Sequence, residues 1–439
     1  MEFMKQMDRR RFLKIVGTGT AVFYSGGSLF SKNSDREKPN IILIMADDLG
    51  YECLGSDGGT SYKTPRLDSM AESGMRFDHC YAMPLCTPTR VKLMTGKYNF
   101  RNYTEFGSLK PGETTFAHLF KNAGYRTCVV GKWQLAGHYP GSHQKGKGTL
   151  PHDAGFDEHC LWQVHQRGSR YWNPIIQQNG KILTGMKDKY GPDIFLQYIQ
   201  KFLKKNTKSP FFLYYPMALT HSPFLPTPDT PDWQQKKRQN NPRYFSDMVE
   251  YMDKIVGQIL DTVDKVGLAK NTLILFAGDN GTHQTIKSAM GNSIVRGRKG
   301  ETVDAGTHVP LIASWPGVIP SGKLCSDLID FTDFLPTLLD AADINAPAGM
   351  LLDGKSFFPQ LRNEKGNPRE WIFCHYEPKW GRWKPARYIQ SKRWKIYSDG
   401  RIFDAESDLE ESQPLSLDAL DKSSIKQIRK LQDVLRSMK

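Results

Sequence analysis

Four apolar runs in this chain each stop at a polar residue of a type that binds ions, and this pattern constrains the fold more than any other feature. Ile41-Ile42-Leu43-Ile44-Met45 ends at Asp47-Asp48, and Thr272-Leu273-Ile274-Leu275-Phe276 ends at Asp279-Asn280-Gly281. Thr127-Cys128-Val129-Val130 ends at Gly131-Lys132, and Phe211-Phe212-Leu213-Tyr214-Tyr215 is followed within a few residues by His221. Continuous apolar strands read as strands covered on both faces. Helical periodicity lies between them, over Thr114 to Asn122, Ile194 to Lys204 and Tyr244 to Val266. Strand and helix in alternation predict an α/β fold with a large, mostly parallel sheet between helices. Ligands of such sheets bind beyond the carboxyl ends of the strands, so all four polar tips should face one edge.

A single Asp after a strand is usually a cap or turn residue. Two acidic tips on one edge are harder to leave unpaired, because like charges held together force a proton back on. Asp47, Asp48, Asp279 and Asn280 offer oxygen donors only, which suits a hard cation such as Ca²⁺ or Mg²⁺. Lys132, His221, Arg90 and Lys299 add positive groups, and a metal ringed by cations is an anion site. Taken singly, the lysines could be surface residues and His221 a turn histidine.

Cys86 stands in Pro84-Leu85-Cys86-Thr87-Pro88-Thr89-Arg90. Thr87 as cap and Pro88 as first residue predict a helix start, with Cys86 just ahead of it. The plain alternative is a buried cysteine beside a turn. Seven cysteines leave one over in any complete pairing, and their spacing dictates no disulfide.

The chain has 439 residues and a formal net charge of +14, which favours an anionic partner. The basic residues are spread out, and no helix-turn-helix, zinc-finger or RNA-binding signature is present, which argues against nucleic acid. Near the N-terminus, Arg9-Arg10-Arg11-Phe12-Leu13-Lys14 precedes a weakly apolar run from Ile15 to Phe30. That run is too short and too rich in Gly, Ser and Thr for a stable membrane span. It resembles a twin-arginine export signal, which would place the protein in the periplasm or outside a bacterial cell. A basic disordered tail is the alternative.

Cys86-x-Pro88-x-Arg90, in order with "NIILIMADDLGY", "LMTGKYNFRN", "AGYRTCVVGKW", "THSPF", "GDNGT", "GRKGETVDAGTHVPLIASWPG", "DFLPTLLDAA" and "LDGKSFFPQL", resembles the formylglycine-dependent sulfatases of the alkaline-phosphatase-like superfamily. The resemblance runs from Asn40 to about Leu415. It implies that a maturation enzyme oxidises Cys86 to formylglycine, whose hydrated form attacks the sulfur of a sulfate ester. It implies one Ca²⁺ on Asp47, Asp48, Asp279 and Asn280. Arg90 would brace the nucleophile, Lys132 and Lys299 would hold sulfate oxygens, and His221 would serve the leaving alcohol. Many members have a histidine where this chain has Gln134, which can hydrogen-bond substrate but cannot shuttle a proton. The common Glu-Gly-Gly-x-Arg reads Asp304-Ala305-Gly306-Thr307-His308, a segment expected to shape the loop.

The export-like segment would take residues 1–36, and the family architecture implies an α/β catalytic domain at 37–363 and a C-terminal α+β domain at 364–439 with a short antiparallel sheet and a final helix. Alternation over "ARYIQSKRWKIYSDGRIFDAESD" and a polar amphipathic helix over Ser423 to Met438 fit that ending. The expected substrate is a sulfated saccharide. His375, Trp380 and Arg382, in an aromatic and basic segment of the small domain, are expected to join Gln134 in binding it. The rivals are a phosphomonoesterase or phosphodiesterase of the superfamily, a thiol hydrolase using Cys86 with His221, and a non-catalytic polysaccharide-binding homologue.

Overall fold

The computed structural model describes residues 38–139, 145–234 and 239–438; the twin-arginine-like segment lies outside them. Ten strands form one mixed sheet: β1 (Asn40–Ala46), β2 (Met75–Tyr81), β3 (Arg126–Lys132), β4 (Glu158–Trp162), β5 (Ile176–Gln178), β6 (Lys181–Ile182), β7 (Phe211–Pro216), β8 (Thr272–Gly278), β11 (Leu311–Ser314) and β12 (Lys323–Asp330). A hairpin of β9 (Lys287–Met290) and β10 (Ser293–Arg296) stands apart from it. The strand order is β12-β2-β11-β8-β1-β7-β3-β4-β5-β6. The centre, β8-β1-β7-β3-β4, is parallel throughout. The four apolar runs therefore become neighbouring parallel strands whose tips share one edge, as their sequence pattern predicts.

Each central strand is buried because helices cover both faces. Along β1, Ile41, Leu43 and Met45 face one core while Ile42, Ile44 and Ala46 face the other, the period of two expected of a strand. On the second face lie α4 (Gly191–Lys205) and α5 (Phe245–Lys265), whose Phe195, Ile199, Met248, Met252, Ile255 and Ile259 recur at helical spacing. On the first face lie α2 (Cys86–Thr95), α3 (Phe116–Asn122) and α6 (Phe334–Ala341). A short α1 (Pro65–Glu72) also packs on the second.

A separate four-stranded antiparallel sheet runs β13 (Ile372–Tyr376), β14 (Ala386–Gln390), β15 (Trp394–Tyr397) and β16 (Ile402–Asp404) in order, followed by α7 (Lys422–Ser437). Its two faces have different partners. Phe373, Ile389 and Ile396 pack with Ile428, Leu431 and Leu435 of α7. Cys374, Tyr376, Tyr388, Tyr397 and Phe403 pack with Met83, Leu85 and Cys86. The small sheet thus forms one wall behind the Cys86 turn. All seven cysteines are free thiols, and among the described residues no helix is long and apolar enough to cross a membrane.

Candidate active site

The helix α2 starts two residues earlier than its sequence suggests. Leu85 is the extended cap residue and Cys86 the first helical residue, so Cys86 lies within the helix start rather than ahead of it. The Thr87 hydroxyl does not cap; it accepts the Gly107 N–H at 3.1 Å. Thr89 Oγ1 accepts the Met83 N–H at 3.0 Å and reaches the Asp279 carbonyl at 2.7 Å. This hydroxyl ties the cysteine-bearing helix to the β8 tip.

The four strand tips converge into one buried cluster of alternating charge. Lys132, the last residue of β3, donates to both oxygens of Asp47 at 2.9 and 2.8 Å. Lys299 Nζ donates to Asp48 Oδ2 at 2.6 Å. Arg90 donates to Asp279 Oδ2 through Nε and Nη2, at 3.3 and 3.1 Å, and to the Lys132 carbonyl through Nη1 at 2.9 Å. Asp279 Oδ1 accepts the Asp48 N–H at 3.1 Å, and Asn280 Nδ2 donates to Asp48 Oδ1 at 2.9 Å. Asp48 adopts a left-handed backbone with φ of 63°, which aspartate tolerates. His221 Nε2 lies 3.7 Å from Asp48 Oδ2. Its Nδ1 meets the Ser222 carbonyl at 2.6 Å, which assigns the proton to Nδ1 in the neutral ring.

The electrostatics follow from burial opposed by pairing. Burial raises Asp47 and Asp48, yet the ammonium and guanidinium charges around them, Lys132 and Arg90 for the first and Lys299 for the second, hold both below the usual carboxylate range. Asp279 goes the other way: burial and the Asp47 charge push it up to about 7, against the pull of Arg90. Burial drives His221 well down, opposed by Asp48 and reinforced by Lys299 and Arg170. Burial also raises the Cys86 thiol, so it holds its proton and is a poor thiolate nucleophile.

The donor set fits a hard cation. Asp47, Cys86 and Asp279 present ligand atoms within 4.8 Å of one another, as do Asp47, Asp48 and His221. Asn280 Oδ1 is buried without a hydrogen-bond partner among the described residues. An orphaned amide oxygen beside three carboxylates, one carrying a raised affinity for protons, is what a dication would satisfy. Both groups able to hold a metal among the described residues include Asp47, and neither supplies a separate second centre.

Residues 39–344 match the family model described as Sulfatase, and residues 301–438 match the C-terminal model of N-sulphoglucosamine sulphohydrolase. The chain belongs to the sulfatase family. It is similar to steryl-sulfatase of Rattus norvegicus, at 28% identity over 84% of this chain and 76% of the relative. It is also similar to N-acetylgalactosamine-6-sulfatase of Mus musculus, at 29% identity over 84% and 75%. Among solved structures, Ps i-CgsB in complex with k-i-k-neocarrahexaose superimposes with a TM-score of 0.72 at 26% identity, covering 91% of this chain and 93% of that one. The resemblance carried by the Cys86 motif is thereby confirmed, and the protein is a sulfuric ester hydrolase.

Around the cluster, the sulfatase places the remaining expected residues unequally. Gln134 is buried with a left-handed backbone (φ 52°), its N–H donates to the Gln163 carbonyl, and its Oε1 has no partner among the described residues. Arg382 pairs with Gln284 and lies over the Trp383 ring, 4.9 Å from its centroid. The Trp383 ring occupies the space that a Cβ on Gly300 would fill, next to Lys299. Tyr376 donates to the Gly300 carbonyl at 3.1 Å. Trp380 stacks on Phe106 with centroids 4.3 Å apart and meets Tyr139 edge-on, so much of its face is already packed.

His375 is not placed with the others. It alternates with Cys374 and Tyr376 along β13 and shares the face of Phe373, meeting Phe100 edge-on and Glu377 at 3.6 Å. The segment composition grouped it with Trp380 and Arg382, but the two-residue period of a strand turns it away from Cys86.

Two residues went unnoticed in the sequence. Arg170 is buried, donates from Nη1 to Asp47 Oδ2 at 3.4 Å, and lies over the Trp162 ring at 4.0 Å. Gln163, at the β4 tip, has a buried Oε1 without a partner among the described residues. Gln163 directly follows the apolar end of β4, which is its only sequence signal; Arg170, further along the same loop, carries none.

Proposed function

We propose that this sulfatase removes sulfate from a sulfated saccharide, with Cys86 converted to formylglycine by a maturation enzyme and one Ca²⁺ held by Asp47, Asp48, Asp279 and Asn280. The observation that carries the reading is the convergence of these oxygens with Cys86 and three cations at one sheet edge. When present, the cation and the hydrated aldehyde supply charge neutralisation and a hydroxyl nucleophile with a built-in release step.

The chain's own side chains do the rest. Arg90, one turn into α2, ties the helix to Asp279 and to the Lys132 carbonyl of β3, which orients residue 86 toward the cluster. Lys132 and Lys299 present ammonium groups for the oxygens of a sulfate ester, and their hydrogen bonds to Asp47 and Asp48 keep them aimed. His221 rests neutral with its Nε2 lone pair toward Asp48. An arriving sulfate adds negative charge, which favours the imidazolium. His221 then holds a proton at Nε2 for the departing alcohol oxygen. Gln134 Oε1 can accept from a substrate hydroxyl and moves no proton. The short helical turn Asp304–Thr307 supports rather than reacts: Gly281 donates to the Gly306 carbonyl, and a Cβ on Gly281 would lie 1.9 Å from the Ala305 oxygen.

Saccharide as substrate is supported by the similarity to N-acetylgalactosamine-6-sulfatase and by the neocarrahexaose complex of Ps i-CgsB. A fold neighbour at 22% identity was solved with its substrate D-glucosamine-2-N,6-O-disulfate. Arg382 and Trp383, from residues 364–439, would form the sugar-facing rim with Gln284 of the larger domain, beside Lys299. Export by the twin-arginine machinery, to the periplasm or beyond, would follow from residues 1–36. The test is sulfate release from a panel of sulfated saccharides, with Cys86→Ala as control. Release that needs Cys86 is expected; phosphate-ester turnover without sulfate release would favour the phosphatase reading.

A further inference from the structure

We infer that Arg170 binds an oxyanion of the substrate, as a fourth cation of the anion site; this rests on the sulfatase reading above. The argument is a charge count. Lys132 engages both oxygens of Asp47, Lys299 pairs with Asp48, and Arg90 pairs with Asp279. The three carboxylates are therefore matched one to one. Arg170 is only 7% exposed, and its one salt bridge among the described residues is the long 3.4 Å contact to the already engaged Asp47. A buried guanidinium without a carboxylate of its own is disfavoured unless an anion joins it.

Its placement tells which side the anion approaches from. The Trp162 ring under the guanidinium fixes its plane, as stacking does for arginine. The next residue is tied to the His221 turn: Tyr171 Oη lies 2.6 Å from the Ala218 carbonyl oxygen and 2.5 Å from that of His221. Arg170 thus stands on the His221 side of the cluster, where the ester oxygen and the sugar bearing it would lie. Its fork can take oxygens of the scissile sulfate or of a neighbouring sulfate or carboxylate on the sugar.

The experiment measures binding of inorganic sulfate by calorimetry at saturating calcium in wild type, R170Q and R170K. It is paired with KM for 4-nitrophenyl sulfate and for mono- and disulfated forms of one saccharide. R170Q should weaken sulfate binding or raise KM by about 10- to 100-fold, the range for a charge-assisted hydrogen bond, while R170K keeps most of the affinity. Loss on inorganic sulfate and the nitrophenyl ester assigns Arg170 to the scissile group. Loss confined to the disulfated sugar assigns it to the neighbouring anion. Unchanged binding and KM in R170Q would overturn the inference. So would equal losses in R170Q and R170K with a lowered melting temperature, since the role would then be packing on Trp162. Absence of any sulfate release by wild type would defeat the sulfatase reading instead, and the sulfate affinities would still decide Arg170.

Discussion

Replacing Lys92 by methionine removes one charge from a pair that ties the cysteine-bearing helix to the end of β12, and with it a hydrogen bond to the small sheet. Lys92 lies on α2, and its Nζ donates to Asp330 Oδ2 at 2.7 Å and to the Phe373 carbonyl at 3.1 Å. The two side chains are 2% and 0% exposed. Methionine matches the stem in shape but leaves Asp330 Oδ2 and the Phe373 carbonyl buried without this donor. Breaking one side of a buried pair costs about 3–5 kcal/mol. Asp330 Oδ1 keeps its bonds from the Thr332 N–H and hydroxyl, and Arg369 still lowers its pKa, so the lower end, about 3 kcal/mol, is expected. The double variant K92M/D330N removes the stranded charge and should lose less than the sum of the singles. The sign with pH follows. Asp330 is held low in the folded protein, against burial, chiefly by Lys92 and then Arg369. Its contribution is present above the unfolded carboxylate pKa and fades as pH falls through the lower folded value. In K92M the stranded carboxylate protonates more readily in acid, so the penalty should be smaller at pH 4 than at pH 7.5. Urea unfolding of the four proteins of the cycle at pH 7.5 and pH 4 gives these numbers. A K92M cost under about 1 kcal/mol, or strictly additive singles, would refute the reasoning.

Asp57 tests buried charge elsewhere. Burial pushes it up to about 6 against the pull of Arg76, and its Oδ2 lacks a partner among the described residues. The folded state therefore holds a proton the unfolded chain releases, and stability falls as pH rises from about 4 to 6. D57N should raise the unfolding free energy measured by urea at pH 7.5, by at most about 3 kcal/mol less the Arg76 pair, and gain nothing at pH 4; a gain at both would contradict this. Metal analysis should find one calcium per chain, lost with activity in D279A, whereas two zinc ions would contradict the cluster assignment. R382A should lower kcat/KM on the natural saccharide by about tenfold or more and spare 4-nitrophenyl sulfate, because remote binding is lost only with the longer substrate. Equal losses on both would make that segment structural.

The strand tips were legible because a doubly covered strand must be apolar throughout, so Asp47, Asp279 and Lys132 stand out where it ends. The motif around Cys86 gave the family, and the fold and the hydrolase class came with it. The helix start was misread because Thr87-Pro88 looks like a cap and first residue. Tertiary partners decided otherwise: Gly107 takes the Thr87 hydroxyl, and Pro88 in the first turn still forfeits no needed donor. His375 could have been separated from Cys374 and Tyr376 by counting alternate residues. Arg170 could not have been found, since only the placement of β4 beside β3 brings its loop to Asp47.

The most direct measurement is the mass of the peptide carrying residue 86, taken from protein that is releasing sulfate from a saccharide. The account predicts formylglycine at that position, with turnover proportional to the converted fraction and absent in Cys86→Ala. Full sulfate release from protein whose residue 86 is entirely unmodified thiol would contradict it.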